Sequence, residues 1–326
     1  MSKMKKALIL GITGQDGSYL AEILLEKGYE VHGFVRNDPA SSTKNIDHIL
    51  NRVTLHRVDL LDAKSLHGAI QSIGPDEIYN EADQSHVGKS FNMVDYQINI
   101  TGATPARILE IIRQLNPKIK YFQPITSNVF GRAAETPQTE ETPFRPQSPY
   151  ACAKVLAYTL CRFYRDVYHM FAATAIFYNH ESPRRPEEYV TRKITLGAAR
   201  IKLGLQDSLE LGDLAMKIDW GYAKEYMEAA WKIMQQAEPD DYIICTGETH
   251  SVQEFVDETF GLLGLNPKKY VRVNPALMRP ASNTTLVGDY AKAKKAFGFE
   301  PKVKFKELLR LMVEADLKNL TREEPR

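Results

Sequence analysis

The chain has 326 residues, room for one large α/β domain or a large domain with a smaller partner around a sizeable core. Its 42 Lys and Arg stand against 41 Asp and Glu, which gives no electrostatic reason to expect nucleic acid or a membrane surface as partner. No apolar run approaches the ~18 residues of a membrane span, and Cys152, Cys161 and Cys245 form no C-x-x-C pair, so a reduced, cytoplasmic setting is expected.

The N-terminus, MSKMKKALILGITG, sets basic residues before an apolar run, as a secretory leader does. The run breaks at Gly11 and continues as a glycine loop, so secretion is rejected. Ala7-Leu8-Ile9-Leu10 has the length of a strand, and from Ser18 the pattern is that of an amphipathic helix. Between them Gly11, Gly14 and Gly17 are spaced G-x-x-G-x-x-G. Such a loop lets bare backbone approach a pyrophosphate, with the free N–H groups of the helix N-terminus facing the charge. Plain turn chemistry is the competing reading. The position directly after the first strand favours a dinucleotide.

Tyr29 to Val35 reads as the second strand and ends at Arg36. An acidic residue there would grip the adenosine ribose, whereas a basic one accepts a 2′-phosphate, so Arg36 favours NADP over NAD. An ordinary solvated arginine is the alternative. Val53 to Val58 is the third strand, followed by Asp59 and Leu60; Asp59 either faces the adenine or caps the helix Ala63 to Ile73. Glu77 to Asn80 starts a fourth strand, and a long helix from Val94 to Asn116 follows, kinked at Pro105. The fifth strand runs from Lys120 to Thr126-Ser127. This alternation predicts an α/β fold, a doubly wound parallel sheet of the Rossmann type.

Ser148 to Lys154 carries Y-x-x-x-K at the start of a helix running to about Tyr168. The i, i+4 spacing puts the Tyr150 phenol and the Lys154 ammonium on one helical face. The cation should favour phenolate and pull Tyr150 below the usual value of about 10, towards a range useful for proton transfer. The motif is common by chance. After a strand ending in Thr126-Ser127 and a glycine loop, it becomes a constellation.

Phe171 to Tyr178 is the sixth strand, leading into Asn179-His180-Glu181-Ser182-Pro183-Arg184-Arg185. A basic helix, Val190 to Leu203, and a short strand at Leu209-Glu210-Leu211 come next. The helix Gly221 to Gln236 and the strand Tyr242 to Cys245 return to the main sheet; helices His250 to Leu263 and Phe305 to Leu320 flank the segment Tyr270 to Gly288. Residues 1–178 are thus expected to form an NADP-binding Rossmann domain, rejoined around 212–247, and 179–326 mainly a smaller C-terminal substrate lobe over the carboxyl ends of the strands.

GITGQDGSYL, QSHV, SPYACAK, YNHESPRR, VTRK, DWGYAKEY, TGETHSV and LVGD together resemble the GDP-mannose 4,6-dehydratase family of extended short-chain dehydrogenase/reductases, over essentially the whole length. The resemblance implies oxidation of a GDP-hexose at C4 with bound NADP, loss of water across C5–C6, and return of the hydride to C6. It makes Tyr150 the base, Lys154 its partner and Thr126 the hydroxyl at the sugar O4. Cofactor contacts are implied for Gly11, Thr13, Gly14, Gln15, Asp16, Gly17, Arg36, Asp59, Leu60, Tyr150 and Lys154, and substrate contacts for Ser85, Asn179, Glu181, Arg184, Lys193 and Arg279. It also implies a homo-oligomer, dimer or tetramer.

The departures bear on chemistry. Asn128 stands where the family carries the glutamate that takes the C5 proton, and an amide is no base. Glu81 and Asp83 replace small apolar residues in the cofactor wall, where two acids oppose phosphates unless they point away. Pro124 removes a strand donor, Ile218 replaces an arginine expected near the nucleotide phosphates, and Ser282 a glutamate expected at the ribose. A 4-epimerase or 4-keto reductase would need Tyr150, Lys154 and Thr126 but no C5 base; a catalytically silent sugar-nucleotide-binding subunit is the reading from another class. His86 and His180 are read as satisfied polar residues near the site, Trp231 as core, and no His/Cys/Asp cluster has the spacing of a catalytic metal site.

Overall fold

The computed structural model describes residues 4–36, 42–278 and 285–323. Six strands come first: β1 (Lys6–Leu10), β2 (Glu30–Val35), β3 (Val53–Arg57), β4 (Glu77–Asn80), β5 (Lys120–Thr126) and β6 (Ala172–Phe177). Four short strands follow, β7 (Asn179–Glu181), β8 (Leu209–Leu211), β9 (Lys217–Ile218) and β10 (Trp220–Tyr222), before β11 (Asp241–Ile244). The last two are β12 (His250–Ser251) and β13 (Val271–Val273). β11 pairs with β6 and completes a seven-stranded sheet of order β11-β6-β5-β4-β1-β2-β3. Every pairing in it is parallel.

The inner strands are buried on both faces because they are largely apolar and alternate their side chains, whereas the edge strand β3 is only partly covered. Ala7 and Ile9 pack with helix α1 (Gln15–Glu26), while Leu8 and Leu10 pack with helix α2 (Ala63–Ile73). From β1 the chain builds outward to β2 and β3, then crosses to β4 on the other side. The order therefore reverses between β1 and β4, and the crevice beyond their carboxyl ends is where open α/β sheets bind ligands.

Three sequence expectations are corrected. Helix α1 starts at Gln15, not Ser18, so Gly17 lies within its first turn. The segment expected as one kinked helix, preceded by the short helix α3 (Val87–Ser90), divides into α4 (Val94–Gln97), a π-helical turn (Ile98–Ala103) and α5 (Thr104–Leu115), which has Pro105 in its first turn. A proline lacks an N–H and crowds the carbonyl four residues back, and the widened turn accommodates both defects. Asp62 rather than Asp59 caps α2, accepting from the Lys64 and Ser65 amides.

Helix α6 (Pro149–Tyr168) begins with Ser148 accepting from the Ala151 amide and Pro149 in its first turn, a strong start signal. A separate apolar core joins α7 (Val190–Lys202), β8, Trp220, α9 (Val252–Leu262) and α12 (Phe305–Glu323), with Arg192 of α7 in a buried ion pair with Asp316 of α12. Between α7 and α9, α8 (Ala223–Met234) packs on the α1 face of the main sheet. The short helices α10 (Pro267–Tyr270) and α11 (Ala291–Phe297) flank β13 and the return to α12. Trp220 is 3% exposed, whereas Trp231, expected in the core, packs only partly against it beneath the Lys27 ammonium.

Candidate active site

The three glycines do different work. Gly11 has φ +76°, and a Cβ on it would stand 2.8 Å from the Glu81 carbonyl oxygen. A Cβ on Gly17 would lie 2.3 Å from the Gly11 carbonyl oxygen. Both are therefore required by backbone meeting backbone. Gly14 is exposed at the mouth of α1, where a Cβ would stand a less severe 3.3 Å from the Gly11 carbonyl oxygen; the helix N-terminus it opens has no side-chain cap. That combination fits an anionic diphosphate.

Gln15 and Asp16 turn inward. Gln15 donates to the His180 carbonyl at 3.1 Å and accepts from Ser182 Oγ at 2.8 Å; Asp16 Oδ2 meets His180 Nε2 at 3.0 Å. Burial opposes both charges of that pair, yet Asp16 holds His180 above its ordinary value and His180 holds Asp16 below. Thr13 offers its carbonyl to the Asn45 amide.

Arg36 is exposed at the end of β2, and its carbonyl accepts from Arg57 Nη1 at 3.5 Å. Arg57 is a candidate the sequence reading missed. The parallel register that pairs Val35 with Arg57 brings the two cations to one sheet edge. Together they fit a 2′-phosphate better than Arg36 alone. Asp59 is exposed and accepts from the Leu61 amide, with Leu60 half-buried beside it.

Thr126, Asn128, Tyr150 and Lys154 come together where β5 ends against the start of α6. The Thr126 hydroxyl and the Tyr150 phenol lie close enough for Thr126 to favour the phenolate. Asn128 Nδ2 donates to Thr126 Oγ1 at 3.0 Å. Lys154 Nζ donates to the Pro124 carbonyl at 2.8 Å, so the proline that lost a donor supplies an acceptor. Pro124 also lies beyond Phe122, the last β5 residue paired with β4, where no β4 partner needs its N–H.

The expectation that Lys154 lowers Tyr150 is overturned. Burial, then the Asp83 charge and Tyr189, push the phenol well above its ordinary value; Thr126 and Arg185 pull the other way without prevailing. Beside burial, Asp83 Oδ2 sits 2.8 Å from Lys154 Nζ and offsets the field of that ammonium. Asp83 is itself held, accepting from Thr101 Oγ1, which accepts from Gln97 at 2.6 Å.

Among the implied substrate contacts, Glu181 is buried, accepts from Thr191 Oγ1 at 2.7 Å and pairs with Arg185 Nε at 3.2 Å. Arg184 turns to α1, donating to Ser18 Oγ at 3.0 Å, pairing with Glu22 and stacking on Tyr19. Ser85 Oγ is 2.7 Å from the Tyr189 hydroxyl, while Arg185 covers the Tyr189 ring. Asn179 lies on β7, paired with Trp220, and Lys193 in the first turn of α7. Arg279 and Ser282 lie outside the described residues. His86 caps α3 by accepting from the Lys89 amide.

The parallel sheet, the glycine loop at its switch point and the Tyr150–Lys154 pair place the chain among the extended short-chain dehydrogenase/reductases. The family model described as GDP-mannose 4,6 dehydratase matches residues 8–312. The chain is 47% identical to GDP-mannose 4,6 dehydratase 2 of Arabidopsis thaliana, covering 98% of this chain and 88% of that one. It is 43% identical to GDP-mannose 4,6 dehydratase of Homo sapiens, covering 95% and 91%. The UDP-glucose 4-epimerase of Thermus thermophilus, solved in complex with NAD, superposes with a TM-score of 0.84 at 26% identity, over 95% and 98% of the two chains. The chain belongs to the GDP-mannose 4,6-dehydratase family and is an enzyme.

Proposed function

We propose that the chain modifies a nucleotide-linked hexose, a GDP-hexose such as GDP-mannose, through a 4-keto sugar with NADP as its cofactor. The observation that carries this reading is the convergence of Thr126, Tyr150 and Lys154 at the switch-point crevice, in a chain whose relatives bear the names above. When bound, NADP takes up a hydride from the sugar and gives it back. Tyr150 receives the O4 proton and Thr126 orients that hydroxyl. Arg36 and Arg57 support NADP over NAD.

A second reading rests on Asn128. Its Nδ2 is committed to Thr126, and its amide has no basic lone pair for the C5 proton. Hydride exchange at C4, as in an epimerase or 4-keto reductase, needs no such base. Incubation with GDP-mannose, followed for 4-keto-6-deoxy product, separates the two: dehydration at an ordinary enzymatic rate removes the second. Absence of any reaction, with dinucleotide bound, favours a silent sugar-nucleotide-binding subunit.

A further inference from the structure

We propose that Glu81 serves as a neutral, hydrogen-bond-donating carboxylic acid in the dinucleotide crevice, so that the anionic dinucleotide and one proton are held together. The inference rests on the dinucleotide reading above and concerns a residue for which that reading has no use.

Glu81 follows the last residue of β4, so it lies at the switch point, and its carbonyl abuts Gly11 of the glycine loop. Its Oε1 is sealed from solvent without a hydrogen-bond partner among the described residues. Three cations serve the crevice, and each already has its own acid. Lys154 of α6 meets Asp83 at 2.8 Å, His180 of β7 meets Asp16 of α1 at 3.0 Å, and Arg185 meets Glu181 at 3.2 Å. Glu81 is the carboxyl left over, with Asp16 and Asp83 as its acidic neighbours. The two phenols below it are also engaged: Tyr79 donates to Glu77 at 2.8 Å and Tyr121 to Gln123 at 2.6 Å. An ionised carboxylate in that position would be a buried charge without a partner, next to two others. Burial, then the Asp16 charge, push Glu81 well above the ordinary carboxylate range; Lys154 opposes this and Asp83 adds to it. A protonated carboxyl adds a donor to those of the α1 N-terminus and the arginines, one that no acid has claimed. The same acid, once ionised, would repel the ligand.

The test uses the full chain and two readouts. Infrared spectra of the ligand-free protein at neutral pH should show a protonated-carboxyl band that disappears in Glu81→Gln. NADPH affinity, followed by its fluorescence above the range where the 2′-phosphate titrates near 6, should fall with rising pH wherever that band is being lost. The slope should approach about tenfold per pH unit as the carboxyl ionises. In Glu81→Gln, which keeps a donor and cannot ionise, affinity should stay level; a melting transition like that of the parent confirms its fold. Loss of the parent's band with no fall in affinity over the same range, a slope retained in Glu81→Gln, or a band unchanged by that substitution overturns the proposal alone. Absence of NADPH and NADH binding at every pH overturns it together with the dinucleotide reading.

Discussion

Asp83→Asn isolates the charge that adds to burial in keeping Tyr150 protonated. In the parent, Asp83 neutralises Lys154 across 2.8 Å, and the ammonium lies 5.8 Å from the centre of the Tyr150 ring. At that distance, with an effective dielectric near 20, an unpaired ammonium favours phenolate by about 3 kcal/mol, or about 10²-fold in the ionised fraction. The variant should therefore oxidise substrate up to about 10²-fold faster on the acidic limb of its pH–rate profile and reach its plateau at lower pH. The same change orphans a buried cation, which typically costs about 3–5 kcal/mol of stability. Adding Lys154→Met should recover most of that stability and abolish the kinetic gain. The assay is a pH–rate profile of 4-keto sugar formation, run beside urea denaturation of each variant. An acidic limb that does not move in Asp83→Asn, with the protein folded, would refute the argument that Asp83 screens Lys154 from the phenol.

Asn128→Glu restores a carboxylate opposite Thr126 and should raise dehydration by ~10²–10⁴-fold, with solvent deuterium entering C5 as the marker; unchanged incorporation shows that another base is in place. Arg36→Ala should weaken NADPH more than NADH in a fluorescence titration, and equal weakening removes the 2′-phosphate from its role. Burial lifts Asp316 to about 6 against the opposing charge of Arg192. The folded state thus holds that proton more tightly than the unfolded chain, and stability from this group falls as pH rises from about 4 to about 6. Urea denaturation at both ends of that window should show this component in the parent and not in the double variant Arg192→Met, Asp316→Leu. Either single substitution at that pair should cost about 3–5 kcal/mol, and the double variant much less.

Most of the sheet was legible from sequence because its strands are short apolar runs between turn residues. Glu77–Asn80 and the helix Ala63–Ile73 lie where the sequence placed them. The start of α1 was missed because glycine counts against a helix, although Gly17 is there for its closeness to Gly11 and not for propensity. The π-helical turn before Pro105 has no local pattern of its own. In the site, Y-x-x-x-K gave the pair but not its state. Asp83 reaches Lys154 only through the packing of the loop after β4 on α6, a contact distant in sequence. Arg57 could have been found: parallel register between β2 and β3 puts the residue ending one strand beside the residue ending the other.

The commitment of Gln15 and Asp16 to His180 and Ser182 has a mechanical consequence. The first turn of α1, which carries the open edge for a diphosphate, is stapled to the segment that leads from β6 into β7 and beyond. Loop and β7 are therefore joined in the folded chain, and the ordering entropy of bringing them together is met during folding rather than at each encounter with ligand. A dinucleotide that stiffens the loop must then stiffen β7 as well, so occupancy of one compartment is felt in the other without any hinge having to close.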